Sequence, residues 1–117
     1  MNGDAIDWVL RPPRLEGRKD IFALYVEDVS MVPAFRPGGL IFVDRIRKPD
    51  IGDDVVVEIA PANARDEQRA LLKRLVGRSG STVRLEQFNP AKVIELPEKQ
   101  IINLYRVMTM MDLLGGF

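Results

Sequence analysis

The 117-residue chain contains neither cysteine nor histidine. Those two absences remove much of the usual catalytic repertoire. A Ser-His-Asp triad, a cysteine nucleophile and a zinc site built on imidazole or thiolate all need residues that are missing. Carboxylates remain for a hard cation, but no EF-hand spacing is present, and neither a metal nor a cofactor is expected. An excess of charge is absent too, since 17 Lys and Arg residues balance 17 Asp and Glu. A nucleic-acid module usually carries a strong basic footprint, so this composition gives no support for one. No apolar run approaches the roughly 18 residues that suggest a membrane span. The opening "MNGDAIDWVLRPPR" is acidic before it is basic and has no apolar centre, unlike a secretory signal. The expectation is a soluble cytoplasmic protein with no membrane contact.

What is present reads as β-structure. The length suits one domain, able to bury roughly two-thirds of its unfolded surface without a disulfide or metal. Residues 1–20 are loosely patterned, and "RPPR" at 11–14 reads as an extended arm or linker, with Trp8, Val9 and Leu10 available to dock it. The domain proper is expected over 21–117. Its short apolar runs are "IFALYV" (21–26), "GLIFVD" (39–44), "DVVVEI" (54–59), "ALLKRLVG" (70–77), "STVRLEQF" (81–88) and "KVIEL" (92–96), separated by Pro, Gly, Asp and Asn turns. "QIINLYRVMTMMDLL" (100–114) begins as a strand and ends as a turn of helix. This pattern predicts a mostly β fold, a sandwich or a barrel-like arrangement. Residues 63–75 have helix-forming propensity, but "LLKRLVG-RSGS-TVRLEQF" has the shape of a hairpin, and a polar loop followed by a strand is expected there.

One serine stands out. Ser30 lies in "EDVSMVPAFRPGGLIFVD" (27–44), between acidic residues and a proline. A serine hydroxyl attacks poorly until a base takes its proton. Without histidine, that base is a carboxylate or a lysine kept neutral by burial. Lys19, Lys48, Lys92 and Lys99 stand beside charged, Pro or turn residues, whereas Lys73 lies within "ALLKRLV". On a strand it would share a face with Leu71 and Leu75. Its neighbour Arg74 stays protonated and cannot serve as a base. From the residues alone, Lys73 also reads as a snorkelling lysine and Ser30 as a turn residue.

Taken in order, "SMVP", "RPGGLIFVD", "GDDVVVEI" and "LLKRLVG" resemble the C-terminal domain of LexA, of CI-type phage repressors and of UmuD, the self-cleaving Ser-Lys peptidases. The resemblance runs from about Tyr25 to about Pro90 and more weakly to Met110. It implies a LexA/signal-peptidase-like β-sandwich or barrel-like fold of short twisted strands. It also implies that Ser30 is the nucleophile, Lys73 the general base, and that oxyanion donors lie close to the turn at Met31. As partners it implies a homodimer, a stimulating RecA filament, and DNA held only through an N-terminal domain that this chain does not include. The strand "INLYRVMTMM" offers apolar surface for a two-fold interface. Two alternatives stay open: a UmuD-like polymerase accessory protein, and a LexA-like binding module without turnover. A signal peptidase shares the chemistry, but the lack of an anchoring apolar run in these residues disfavours that reading.

Two departures from the family pattern matter. Asp28 and Val29 precede the serine where the family has Gly and then Asp or Asn, and only Gly takes positive φ without cost. No Ala-Gly or Cys-Gly bond, the family's cleavage site, occurs in residues 1–29. The basic run "RIRK" (45–48) reads as a solvated loop or, less favourably, a phosphate contact.

Overall fold

The computed structural model describes residues 20–61, 63, 65 and 69–114, together with the backbone of strand 6–9. Among the described residues eight strands form one sheet: β1 (Ile6–Val9), β2 (Ile21–Val26), β3 (Leu40–Asp44), β4 (Asp54–Ile59), β5 (Arg69–Ser79), β6 (Thr82–Phe88), β7 (Ala91–Pro97) and β8 (Ile101–Val107). A four-residue helix, α1 (Met110–Leu113), follows β8. The hydrogen-bonded order is β1-β2-β3-β8-β4-β5-β6-β7, and every pairing is antiparallel. The fold is mostly β, as the patterning predicts. Among the described residues β1 does not pair with β7, so the ladder stays open rather than closing into a barrel. Within the expected arm, Ile6–Val9 pairs with Ala23–Val26 of β2; "RPPR" lies outside the described residues.

Turn chemistry sets where the strands begin. Gly38, in the Pro37-Gly38-Gly39 turn, has φ +85°, a conformation that costs a side-chain-bearing residue but not glycine. Its N–H donates to the Val26 carbonyl at 2.7 Å, which closes the loop holding Ser30 and starts β3. Gly80, at φ +59°, supplies the same freedom between Ser79 and Thr82, so β5 and β6 form a hairpin. The "RSGS" connection therefore acts as read from the sequence.

The core is divided between two clusters. Leu24, Val26, Met31, Ile41, Val43, Val56, Leu72, Tyr105 and Val107 form one. Val55, Val57, Leu75, Val83 and Leu85 form the other. Val55, Val56 and Val57 are consecutive, yet each is fully buried. Alternate strand residues point to opposite faces, so β4 must be covered on both sides. Removing a fully buried side chain leaves a cavity, and Leu72→Ala is expected to cost about 2–5 kcal/mol. Ile46→Ala, in an exposed loop, should stay within about 0.5 kcal/mol. Urea unfolding of the two variants checks the contrast.

β8 lies inside the sheet rather than at its edge. It is hydrogen-bonded on both sides, to β3 and to β4, and Tyr105, Arg106 and Val107 are buried. The sheet ends instead at β1 and β7. Among the described residues near the end of the chain, Ile102, Met110, Met111 and Leu114 are exposed apolar side chains.

Candidate active site

Ser30 sits in the turn between β2 and β3. Its carbonyl accepts two hydrogen bonds at 2.9 Å, from the N–H groups of Phe88 and Asn89 where β6 ends. Asn89 Nδ2 donates to the Val29 carbonyl at 3.3 Å. The turn is thus fixed to a point about sixty residues later in the chain. Met31 anchors it from within. Its side chain is 1% exposed in the first core cluster, and its carbonyl accepts from the Phe35 N–H at 2.9 Å. This is a packing role, which leaves any oxyanion donation to backbone groups.

Lys73 lies in the middle of β5, opposite Val55 of β4. Flanking Leu72 and nearby Leu75 are fully buried, and Lys73 itself is 4% exposed. The sequence places it on a face with Leu71 and Leu75; the structure buries Leu75 and half-buries Leu71, while Leu72 is covered from the other face. Lys73 Nζ donates to Ser30 Oγ at 2.9 Å, joining groups 43 positions apart in the chain. Ser30 is 7% exposed, so both partners are largely withdrawn from water.

Burial is the main influence on the Lys73 amine and lowers its pKa from the ordinary 10.5. Asp28 opposes this by Coulombic attraction, while Lys92 and Arg69 add to the lowering. The physical reason is that an ammonium loses its hydration on burial whereas a neutral amine loses little. Arg74, the other half of the "KR" pair, turns elsewhere. Its Nε donates to Asp54 Oδ1 at 2.9 Å, and its guanidinium lies 4.8 Å from the Phe88 ring centroid. That hydrogen bond raises its pKa further, so Arg74 stays a cation.

The two residues before the serine build the turn without glycine. Among the described residues no non-glycine residue has positive φ. Asp28 Oδ1 instead accepts a hydrogen bond from the Ser30 N–H at 2.8 Å, an Asx-type closure. Val29 is half exposed at 52% and does not crowd the core. Nothing in the sequence reading anticipated the contact of Asp28 with the serine's own N–H. Its signal was there in an aspartate two positions upstream, the spacing of an Asx turn.

The basic run at 45–48 is exposed throughout, the solvated loop favoured from the sequence. Arg45 lies over Phe22 and Tyr105, at 4.7 and 5.5 Å from their centroids, and Arg47 approaches Asp112 at 3.9 Å. Among the described residues no group of three acidic side chains is placed to hold a metal, and no helix is long and apolar enough to cross a membrane.

Repressor protein C of Rhizobium phage 16-3 is 38% identical over 109 residues, covering 92% of this chain but 41% of the phage protein. The chain therefore spans less than half the length of that relative. No solved structure matches. Residues 5–106, which include Ser30, Lys73 and all but the last strand residue, match the family described as Peptidase S24-like, and the chain belongs to that family.

Proposed function

We propose that this chain is the C-terminal regulatory domain of a repressor-type transcriptional regulator, in which Ser30 and Lys73 form a dyad that cleaves a peptide bond of the regulator itself. The observation behind this reading is the 2.9 Å contact between a buried lysine amine and a buried serine hydroxyl. A structural lysine gains nothing from being held away from water beside a neutral hydroxyl, whereas a general base requires both conditions.

The chemistry follows from the geometry. When Lys73 is neutral the hydrogen bond reverses, and the Ser30 O–H donates to Nζ. Ser30 Oγ attacks a peptide carbonyl carbon, Lys73 takes the hydroxyl proton, and the carbonyl electron pair moves to oxygen. Collapse of that intermediate breaks the C–N bond, and the Lys73 ammonium gives its proton to the departing amine. A water, deprotonated by Lys73, then hydrolyses the ester on Ser30.

Repressor function rests on family membership together with the phage relative, which is named a repressor. DNA binding is assigned to a region outside this chain, consistent with its zero net charge. Dimerisation in the cytoplasm and stimulation by a RecA filament complete the proposal.

The test is incubation of the full-length regulator across pH 6–11, with mass spectrometry of the products. A self-cleavage product should form faster as pH rises and disappear in Ser30→Ala and Lys73→Ala. Absence of product at every pH, with or without a RecA filament, would leave a binding module without turnover.

A further inference from the structure

The Ser30 N–H is an obvious donor for an oxyanion formed at Ser30, since it lies on the same residue as the attacking oxygen. Here it is already occupied. Asp28 Oδ1 accepts from it at 2.8 Å, and the acceptor belongs to a carboxylate, the strongest neutral-pH competitor a protein offers for such a donor. The Asp28 closure is not the turn's only attachment. The Ser30 carbonyl is held by Phe88 and Asn89, and Met31 is fixed in the core. We propose that Asp28 is a positioning residue that restrains the dyad: its carboxylate blocks the Ser30 N–H, so acyl transfer proceeds only when the Asp28 side chain leaves the turn.

This inference rests on the dyad reading above. A second effect acts in the same direction near neutral pH. The negative charge of Asp28 favours the ammonium form of Lys73, against the burial that favours the free amine. The residue thus separates two states. With Asp28 docked, the oxyanion lacks this donor and the base is more often protonated. With Asp28 withdrawn, the N–H is free and the base is more often neutral. An incoming peptide whose carbonyl approaches Ser30 competes for the same N–H, so substrate seating itself would displace the carboxylate.

Phosphonylation of Ser30 by a fluorophosphonate tests this without knowledge of the scissile bond. Ser30 Oγ attacks phosphorus, fluoride leaves, Lys73 takes the proton, and the P–O group occupies the oxyanion position. The 117-residue chain, Asp28→Ala, Asp28→Asn and Ser30→Ala would be labelled from pH 6 to 11 and the Ser30 adduct followed by mass spectrometry. Losing one oxyanion donor costs about 10²–10³ in rate, so freeing this one in Asp28→Ala should raise the high-pH plateau at least about tenfold. Asp28→Asn keeps an oxygen that closes the turn and removes only the charge. Its pH midpoint should move down, with a smaller change in plateau.

An Asp28→Ala plateau equal to or below that of the unaltered chain, with the Asp28→Asn midpoint unmoved, overturns the restraint while leaving the dyad intact. A lower plateau alone would mean that the carboxylate assists the ammonium formed at Lys73, which also overturns it. Labelling in none of the proteins overturns the restraint together with the dyad reading. Labelling in Asp28→Ala but not in the unaltered chain is its strongest support.

Discussion

Lys73→Arg should stop self-cleavage, lowering its rate about a thousandfold or more, and raising the pH should not restore it. A general base contributes about 10²–10⁴ to such a step. Arginine keeps the positive charge and the reach but does not deprotonate in the accessible range. Any rate that depends on a cation beside Ser30 would survive this change, and one that depends on a free amine would not. Lys73→Met removes the base as well, and it adds a second readout. Burial lowers the Lys73 pKa in the folded chain below the 10.5 of an exposed lysine. Above 10.5 both the folded and unfolded amines are neutral, and the residue carries no protonation penalty. As pH falls below 10.5 the unfolded amine takes up a proton before the folded one, so folding is increasingly disfavoured until the folded amine is protonated too. Methionine has no such penalty. Lys73→Met should therefore be more stable than the unaltered chain at neutral pH. The advantage should shrink as pH approaches 10.5. Thermal unfolding at pH 7 and pH 10 checks this, with Ser30→Ala as the control that loses cleavage without the pH-dependent gain. Equal stability of the Lys73→Met and unaltered chains at both pH values would mean that Lys73 is not desolvated enough to act as a base.

Much of this site could be read before any coordinates were considered, and the reasons are local. The absence of histidine leaves few bases for Ser30, and Lys73 is the lysine flanked by leucines. The strand segments carry apolar runs closed by Gly, Pro and Asp turns, and such turns act over a few residues. What could not be read depends on distant pairing. β8 is inserted between β3 and β4, so a segment that looks like an interfacial edge is central to the sheet. No local pattern encodes that placement, because the partner residues lie more than forty positions away in the chain. The same holds for β5, where coverage of both faces buries Leu72 and Lys73 side by side and hides the alternation expected of a half-buried strand. Arg106 escaped notice for a related reason. An arginine in "INLYRVM" looks like the polar face of an edge strand, and only the central position of β8 makes it a buried cation.

That buried cation supports the second large prediction. Arg106 is 6% exposed and stands opposite Asp44 of β3 and Val55 of β4. Its Nη1 donates to Asp112 Oδ2 at 2.7 Å. Its Nε lies 3.3 Å from Asp53 Oδ2, an ion-pair contact without the alignment of a hydrogen bond. Asp112 is also the third residue of a capping box on α1: its carboxylate accepts from the Thr109 N–H at 2.8 Å, and Thr109 Oγ1 accepts from the Asp112 N–H at 3.2 Å. The Thr109 backbone hydrogen bond, followed by the bond from Arg106, outweighs burial and holds the Asp112 carboxyl below its ordinary 3.8. One guanidinium therefore ties the helix at the end of the chain to the loop that opens β4. Breaking a buried pair by removing one partner leaves uncompensated charge, and Arg106→Met is expected to cost about 3–5 kcal/mol in urea unfolding. Asp112→Asn keeps a side-chain acceptor for Thr109 and leaves Arg106 near Asp53, so it should cost less than half as much. The depressed Asp112 pKa makes a contribution present above pH 3.8 that is lost as pH falls through the folded value. Arg106→Met should consequently lose less stability on acidification below pH 4 than the unaltered chain does. If Arg106→Met unfolds at the same urea concentration as the unaltered chain, the guanidinium is a bystander and the end of the chain is held by apolar contacts alone.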